Sequence, residues 1–314
     1  MNAICLCMSP AIDTTMFVPA FPHSGDVFAG VGETLTVGGK GLNVARWLTR
    51  HGHAVRLGGL LGEENAACFE RELAACGIED ALLRVPGPTR QNVMVSAPDG
   101  MFKMNRPAFP GLHPGSVSVE SILEKIGDAP ADFAVLSGSL PKAVSAGFYA
   151  DIGTALRTRG VAVVLDTSGA PLREGMPMRP DLVKPNAEEC EDFVGFRPRT
   201  PADFEKATRI LCETCGIALV SDGGEGCYCA TAEGGFRLYR VAAPRVEVRD
   251  TTAAGDTLLA EFCHAYFPRR ELTEDVLRRA VAAGSAAVQH PGAEPPTFDE
   301  TAALFPETTV VRLV

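Results

Sequence analysis

Short apolar segments that lack polar alternation, separated by helical segments, restrict what this chain can fold into. The clearest of these apolar segments span residues 133–137, 161–166, 181–184 and 217–221. Helical patterns occupy the intervals between them, at 144–159, 187–194 and 202–215. A strand that is apolar on both faces needs cover on both faces, as in a parallel sheet between two layers of helices. The sequence therefore predicts an α/β fold with a mostly parallel central sheet flanked by helices.

The rest of the chain extends this pattern towards both ends. Further strands are expected at 2–8 and 55–61. Further helices are expected at 43–51, 63–76, 255–267, 274–289 and 299–305, and a hairpin-rich stretch at 226–248.

Two β-rich segments, at about 14–37 and 90–104, do not fit the alternation. Proline and glycine residues interrupt the first segment. In the second segment, Pro98-Asp99-Gly100 is typical of a turn between two strands of a hairpin. We expect both segments to form a small second sheet that lies over the main one as a lid. The whole chain, 1–314, is then a single domain into which the lid strands are inserted.

The overall charge excludes some classes of partner. The formal net charge is −10, and the isoelectric point is about 5.2. A nucleic-acid or anionic-membrane surface needs a basic face, so neither partner is expected. A small anionic ligand remains compatible with this charge, because local cations can hold it.

No targeting or membrane segment is expected. The first residues lack a basic start and a long apolar run, and no stretch reaches the roughly 18 apolar residues of a membrane helix. We therefore expect a cytoplasmic protein whose ten cysteines stay reduced. Cys212 and Cys215 have the spacing of a metal or redox pair, but no second pair accompanies them, which favours a buried apolar role.

The strongest chemical signal is Ala253-Ala254-Gly255-Asp256, which comes just before an apolar helix. Small residues at a helix N-terminus leave backbone N–H groups free to bind an anion. That arrangement suits a transferring phosphoryl group, and the Asp256 carboxylate could accept a proton from the attacking hydroxyl. The alternative is a plain loop in which Asp256 caps the helix.

A second signal is the glycine-rich segment Gly38-Gly39-Lys40-Gly-Leu-Asn43. It is not a Walker A loop, because glycine follows Lys40 where that motif has serine or threonine. Glycine allows a ligand to approach the backbone, Asn43 offers both a donor and an acceptor to sugar hydroxyls, and Lys40 could hold an anion. A simple glycine-rich turn before a helix is the alternative.

A third signal is Lys184-Pro-Asn186-Ala-Glu-Glu189. Asn186 and Glu189 are three residues apart at a helix start, so both can point to one place. There they could organise a hydrated Mg²⁺ beside nucleotide phosphates. They could equally form a capping box, and the two interpretations are compatible.

The fourth signal is weak alone: a glycine-rich loop, 220–226, that follows a predicted strand. Open α/β sheets bind ligands at the carboxyl ends of their strands, where this loop lies. The four motifs in this order are far more specific than any one of them.

With these motifs the chain resembles the ribokinase-like (PfkB) family over nearly its whole length. Within that family it is most similar to the branch of 1-phosphofructokinases, tagatose-6-phosphate kinases and minor-type 6-phosphofructokinases. The segments that carry this resemblance are Ser9-Pro-Ala-Ile-Asp13, 38–46, Thr89-Arg-Gln-Asn92, Leu136-Ser-Gly-Ser-Leu-Pro141, 184–189 and Ala282-Ala-Gly-Ser285.

The resemblance implies a role for each matching residue. Sugar contacts are implied for Asp13, Gly38, Gly39, Lys40, Asn43, Arg90, Asn92 and Ser139. ATP contacts are implied for Lys184, Asn186, Ser221, Gly223, Gly226, Ala283 and Gly284. Asn186 and Glu189 would organise Mg²⁺ through water. Residues Ala253, Ala254 and Gly255 would form the anion hole, and Asp256 would be the catalytic base. The lid often forms a dimer contact in such kinases, so a homodimer is implied as well.

The chain departs from the family pattern in two places. Ala253 replaces a glycine, which is compatible with activity only if residue 253 keeps an ordinary φ angle. Basic residues that hold the acceptor's phosphate in similar members are also missing: segment 26–37 contains none, Ala29 stands where arginine is expected, and Met94 replaces a basic residue. Lys103 and Arg106 on the neighbouring hairpin could take their place.

The expected function is ATP- and Mg²⁺-dependent phosphorylation of a sugar phosphate on a primary hydroxyl, as in a 1-phosphofructokinase-like hexose kinase. The missing basic residues leave open a kinase of an unphosphorylated sugar or nucleoside. Ala253 leaves open a non-catalytic sugar-binding protein.

Overall fold

Two β-sheets of unequal size organise the chain in the computed structural model, which describes residues 1–27 and 30–314. The predicted arginine position occupied by Ala29 lies outside the described residues. The strands are β1 (Asn2–Cys7), β2 (Ala11–Phe17), β3 (Gly32–Gly38), β4 (Ala54–Gly62), β5 (Glu79–Val85), β6 (Gln91–Ala97), β7 (Gly100–Met104), β8 (Phe133–Ser137), β9 (Ala162–Asp166), β10 (Leu182–Val183), β11 (Ile217–Ser221), β12 (Cys227–Thr231), β13 (Arg237–Ala242) and β14 (Thr309–Arg312).

Helices connect most of these strands. They are α1 (Lys40–Arg50), α2 (Ala67–Cys76), α3 (Val119–Ile126), α4 (Phe148–Thr158), α5 (Gly169–Gly175), α6 (Ala187–Val194), α7 (Pro201–Cys212), α8 (Ala254–Tyr266), α9 (Glu274–Ala287) and α10 (Phe298–Leu304).

The large sheet has the strand order β14-β13-β12-β11-β10-β9-β8-β1-β4-β5. The strands from β11 to β5 in this order pair in parallel, and β12, β13 and β14 add an antiparallel edge. Helices α1, α2, α8 and α9 pack on one face of the sheet, and α3 to α7 pack on the other. The prediction of a mostly parallel sheet flanked by helices is confirmed.

Several element boundaries differ from those predicted. Helix α1 begins at Lys40 rather than residue 43, so part of the glycine-rich segment is helical. Gly41 in this first turn lies directly against β1, where a Cβ would be 2.2 Å from the Leu6 carbonyl oxygen. The helix predicted at 144–159 begins only at Phe148. The sequence reading missed β5, α3, α5 and β14, which are short or lie near a sheet edge, where the apolar pattern is weak.

The small sheet has the order β3-β2-β6-β7. Strand β2 pairs antiparallel with β3 and parallel with β6, and β6 pairs antiparallel with β7 over the predicted turn. These strands come from the two β-rich segments that did not fit the helix–strand alternation. Among the described residues, no helix has the length and apolar character needed to cross a membrane.

A buried polar seam joins α1 to α8. Near the start of both helices, the Asn43 side-chain amide donates a 2.8 Å hydrogen bond to the Asp256 carboxylate. One turn further along α1, the Trp47 indole N–H donates to Glu261 at 2.8 Å, and His51 Nε2 lies 2.7 Å from the same carboxylate oxygen. The seam therefore fixes the position of Asn43 relative to Asp256.

Two further histidines extend this seam. His53 Nε2 and His264 Nδ1 are 2.9 Å apart, and the His264 ring stacks on His51. Burial lowers the pKa of His53 and of His264 to about 4, so both are neutral in the folded protein near pH 7. Burial alone would raise the pKa of Glu261, but its hydrogen bond to His51 and the other donors lower that pKa to about 2.

These pKa values predict acid destabilisation between about pH 6.5 and 4. The unfolded histidines take up protons as the pH falls through 6.5, whereas the folded ones resist protonation until about pH 4, so the unfolded state gains proton binding. We expect each of the two histidines to contribute on the order of 1 kcal/mol to this loss. Glu261 adds a further loss only as the pH falls below about 4.5.

Urea unfolding of His264→Gln at several pH values tests this. The free energy of unfolding should depend less steeply on pH between 6.5 and 4 than in the wild type. His113→Gln, which replaces an exposed histidine, serves as the control and should keep the wild-type slope. Equal slopes in the wild type and His264→Gln would contradict the interpretation.

Candidate active site

A cleft of about 850 Å³ lies between the small sheet and the loops at the carboxyl ends of the parallel strands. It brings together most of the residues that the sequence singled out, although they are far apart in the chain. Those lining it are Asp13, Gly39, Lys40, Asn43, Arg90, Asn92, Lys184, Asn186, Glu189, Ser221, Gly223, Gly226, Ala253, Ala254, Gly255, Asp256 and Gly284.

Three predicted site residues do not line this cleft. Gly38 lies behind Asp13, where a Cβ would come within 2.9 Å of that carboxylate. Ser139 accepts a hydrogen bond through its carbonyl from the Ser9 hydroxyl. Ala283 is on the core side of α9 and is fully buried, whereas its neighbours Gly284 and Ser285 line the cleft.

The anion-binding backbone forms at the start of α8. The Thr257 N–H donates to the Ala253 carbonyl, which leaves the N–H groups of Gly255 and Asp256 without an acceptor among the described residues. These N–H groups point into the cleft end of the helix, where the helix dipole also favours negative charge. The first turn of α8 can thus bind an anion.

Ala253 has the backbone conformation that its methyl group disfavours. Its φ is 61°, in the left-handed region, so the condition of an ordinary φ is not met. A non-glycine residue pays about 1–2 kcal/mol for this conformation. The chain nonetheless keeps this turn, whose free N–H groups form an anion-binding nest, at the cost of local strain.

Asp256 is almost completely buried at the mouth of this nest, with 5% of its surface exposed. Burial raises its pKa, Lys40 opposes the change, and the nearby Asp166 carboxylate adds to it. A raised pKa makes the carboxylate a better proton acceptor than an ordinary aspartate. Asn43 holds one of its oxygens, which fixes its orientation.

The sequence reading missed Asp166, a fully buried carboxylate at the end of β9. Its Oδ1 lies 3.2 Å from Lys40 Nζ and 3.2 Å from Lys184 Nζ. Burial alone would raise the pKa of Asp166, but the two lysines outweigh it and lower that pKa. Burial would likewise lower the pKa of Lys40, yet the surrounding carboxylates, with Asp166 first among them, raise it. The one signal in the sequence for Asp166 was a carboxylate at the end of an apolar strand, where open α/β sheets bind ligands.

Asn186 and Glu189 form a capping box at the start of α6. The Asn186 side-chain oxygen accepts from the Glu189 N–H at 2.7 Å, and Glu189 Oε2 accepts from the Asn186 N–H at 2.9 Å. The other Glu189 oxygen faces the cleft, 3.8 Å from Lys40 Nζ. The capping interpretation is therefore correct, and it leaves one carboxylate oxygen in the cleft. An oxygen of this kind fits a hydrated Mg²⁺.

The small sheet supplies the opposite wall of the cleft. Asn92 on β6 donates a 2.8 Å hydrogen bond to Asp13 on the adjacent β2. Asp13 thereby keeps one carboxylate oxygen for a ligand, in the part of the cleft where Asn43 and Asp256 also lie. This pair fits a polyhydroxylated molecule such as a sugar.

Glycine-containing segments and the segment 243–248 border the remaining part of the cleft. Gly223 has φ 54° and open space beside it, whereas Gly226 packs so tightly that a Cβ would lie 2.0 Å from the Val241 carbonyl oxygen. Gly284 on α9 lets that helix approach α8 closely. The sequence reading missed the segment 243–248, whose residues Arg245, Val246 and Val248 line this part of the cleft.

The sequence of the chain matches a known family of proteins. The profile of the family described as pfkB family carbohydrate kinase matches residues 5–300. A 1-phosphofructokinase from Rhodobacter capsulatus is 34% identical over 312 residues, which cover 98% of this chain and 96% of the relative. A tagatose-6-phosphate kinase from Staphylococcus epidermidis is 28% identical over 285 residues, which cover 89% of each chain.

A solved structure shows that the fold is also shared. Phosphofructokinase-2 from Escherichia coli, in complex with substrates and products, superposes with a TM-score of 0.87 at 23% identity, covering 98% of this chain and 99% of that one. The match of the family profile over nearly the whole chain agrees with the ribokinase-like architecture. The chain belongs to the pfkB family of carbohydrate kinases.

Proposed function

We propose that this chain transfers the γ-phosphoryl group of ATP to a primary hydroxyl of a sugar phosphate, in the manner of a 1-phosphofructokinase-like hexose kinase. The observation that carries the proposal is the position of Asp256. It is a buried carboxylate of raised pKa beside free N–H groups of α8, in the same cleft as the Asp13–Asn92 pair. The Rhodobacter relative, whose name is 1-phosphofructokinase, supports the choice of acceptor.

The reaction uses these groups in a definite order. The acceptor's hydroxyl attacks the γ-phosphorus, its proton passes to Asp256, and the bond between phosphorus and the ADP oxygen breaks. The free N–H groups of Gly255 and Asp256 stabilise the negative charge on the transferring group. Asn43 keeps the Asp256 carboxylate oriented, and Lys40 and Lys184 add positive charge beside it.

Asn186 and Glu189 would hold Mg²⁺ through water, with the free Glu189 oxygen facing it. When bound, the ion would neutralise charge on the nucleotide phosphates. The capping box fixes the Glu189 side chain in advance, so that this oxygen is already directed into the cleft.

The two alternatives predict different behaviour. A kinase of free sugars or nucleosides would need no cation to bind an acceptor phosphate, whereas the cleft here contains Arg90 and Lys103 together with the Asp13–Asn92 pair. A non-catalytic sugar-binding protein would have no need of a buried base at the mouth of an anion-binding turn, which this chain keeps despite the strain at Ala253.

The test is ADP release from Mg·ATP with fructose 1-phosphate, fructose 6-phosphate, tagatose 6-phosphate and the free sugars. We expect turnover with at least one phosphorylated ketose and much less with the free sugars. Asp256→Asn should lower kcat by about 10²- to 10⁴-fold with little change in KM, because a general base acts in the transition state. Asp151→Asn, an exposed change on α4, should leave kcat unchanged.

Unchanged turnover in Asp256→Asn would refute its role as the base. Turnover confined to free sugars or nucleosides would refute the phosphorylated acceptor, and sugar binding without ADP release would favour the non-catalytic alternative.

Replacing Ala253 by glycine should relieve the backbone strain at this position, and the free energy of unfolding measures the effect. Ala253→Gly removes the methyl group from a left-handed residue, so we expect it to raise the free energy of unfolding by about 1 kcal/mol and to keep turnover. Ala254→Gly is the matched control: residue 254 is already helical, so the same change should destabilise by roughly 0.5–1 kcal/mol. Chemical denaturation measures both variants. Destabilisation of Ala253→Gly as large as that of Ala254→Gly would contradict the strain.

We further propose that the chain forms a homodimer through the outer face of the small sheet. Side chains alternate along a strand, so one face of this sheet borders the cleft and the other points away from it. The outer face carries Thr14 and Glu33 beside a group of roughly half-exposed apolar residues: Leu35 at 53%, Phe102 at 52%, Met104 at 49% and Met16 at 41%. An exposed apolar group of this kind on a sheet face suits a self-complementary contact with a second copy.

Sedimentation equilibrium tests the dimer. The wild type should have twice the 33.2 kDa mass of the chain. Phe102→Glu places a charge on the outer face and should give a monomer. Met101→Glu is the matched control, because residue 101 is equally exposed but points to the opposite face, and it should remain dimeric. A dimer that survives Phe102→Glu would exclude this face as the interface.

A further inference from the structure

Most cations of the cleft are already paired with protein groups. Lys40 and Lys184 share the buried Asp166, and Lys40 also lies 3.8 Å from Glu189. The charges of both lysines therefore lie near the first turn of α8, at one end of the cleft. Lys184 Nζ, for example, is 3.3 Å from the position that a Cβ on Gly255 would occupy. A phosphate at the far end of the acceptor needs another cation.

Arg90 is closer to that end, but its guanidinium is largely occupied. Its Nε donates to the Pro10 carbonyl at 3.3 Å, and its two terminal nitrogens donate to the carbonyls of Ser9 at 3.1 Å and Arg106 at 3.2 Å. These three bonds join the start of β6 to the residues before β2 and after β7, and they leave two of the five N–H groups free. Arg90 can assist in binding a dianion but does not offer its full fork of donors.

Lys103 is different, because its side-chain ammonium makes no hydrogen bond or ion pair with the residues that the structure describes. It lies on β7, directly across from Met94 on β6, and Met94 is in turn across from Thr15 on β2. Residues paired across antiparallel or parallel strands share a face of the sheet. Lys103 therefore lies on the face that carries Asp13, two residues before Thr15.

Lys103 and Arg106 differ in their position relative to the cleft. Lys103 lines the cleft together with Asp13 and Asn92. Arg106 follows the end of β7, where its backbone N–H donates to the Asn92 side chain, and its side chain is not among those that line the cleft in the described part of the chain. Of the two hairpin cations, only Lys103 is directed to the sugar-binding wall.

We propose that Lys103 is the specificity-determining cation for a phosphorylated acceptor, and that it occupies the place of a basic side chain that Met94 lacks. This rests on the proposed function. The register places residues 94 and 103 opposite each other on one face, so a cation on either strand reaches the same region of the cleft. Lys103 binds the acceptor's phosphate dianion, and the free N–H groups of Arg90 assist it.

The experiment compares four proteins: the wild type, Lys103→Met, Arg106→Met and the exchange variant Met94→Lys/Lys103→Met. Initial rates are measured with the phosphorylated ketose that the wild type uses and with its free sugar. We expect Lys103→Met to raise KM for the sugar phosphate about 10- to 100-fold, with a smaller effect on kcat and none on the free sugar. Arg106→Met should keep the wild-type KM.

The exchange variant is the decisive comparison. It moves the cation across one strand pair and should recover most of the affinity lost in Lys103→Met. Thermal stabilisation by the sugar phosphate in the absence of ATP gives a readout of binding that does not depend on turnover. Lys103 lies on an exposed edge strand, so the change to methionine leaves the core untouched.

The outcomes separate this inference from the proposed function. If the wild type phosphorylates a sugar phosphate and Lys103→Met keeps the wild-type KM, the phosphate is bound elsewhere and the inference is wrong. If the wild type itself uses only unphosphorylated acceptors, the proposed function fails first and the inference fails with it. Loss in Lys103→Met and recovery in the exchange variant would establish both.

Discussion

The buried ion cluster around Asp166 is the interaction on which the cleft depends. One fully buried carboxylate at the end of β9 holds Lys40 from α1 and Lys184 from the end of β10, and so joins three parts of the chain. A carboxylate in this environment is stable only while both cations remain beside it, because an unpaired buried charge is costly. The same pairing decides which cations are left for ligands. Lys40 and Lys184 lie at the proposed catalytic end of the cleft, so an anion at the proposed sugar end would be bound by residues of the small sheet.

Asp256 depends on a second set of contacts that reach across the helical layer. Asn43 on α1 orients its carboxylate, and the seam from Trp47 to Glu261 keeps α1 in register with α8. Burial and the neighbouring Asp166 raise the pKa of Asp256, which suits a proton acceptor. The turn that presents this residue is strained at Ala253, where most such turns would use glycine. The strained conformation of Ala253 forms the turn that leaves N–H groups free, at the point where negative charge would develop on the transferring group.

The two faces of the small sheet carry different sets of side chains, because successive residues of a strand point to opposite faces. Asp13, Asn92 and Lys103 lie on the face that borders the cleft. Leu35 and Phe102, which are apolar and half exposed, lie on the opposite face. One residue of shift along a strand would exchange the two sets. The proposed substrate recognition and the proposed dimer contact are therefore coupled through the register of a single sheet.

The sequence by itself determined the parallel sheet, since apolar runs such as 161–166 require cover on both faces, and it located the glycine-rich turns at strand ends. It also identified most residues of the cleft, because motifs such as 253–256 and 184–189 carry their local chemistry within a few positions. Only the tertiary structure decided which side chains meet. Asp166 binds two lysines that are distant in the chain, three scattered histidines join one seam, and Ala283 turns into the core while Gly284 faces the cleft. These facts depend on strand register and helix packing between distant segments, and a local pattern of residues contains no information about either.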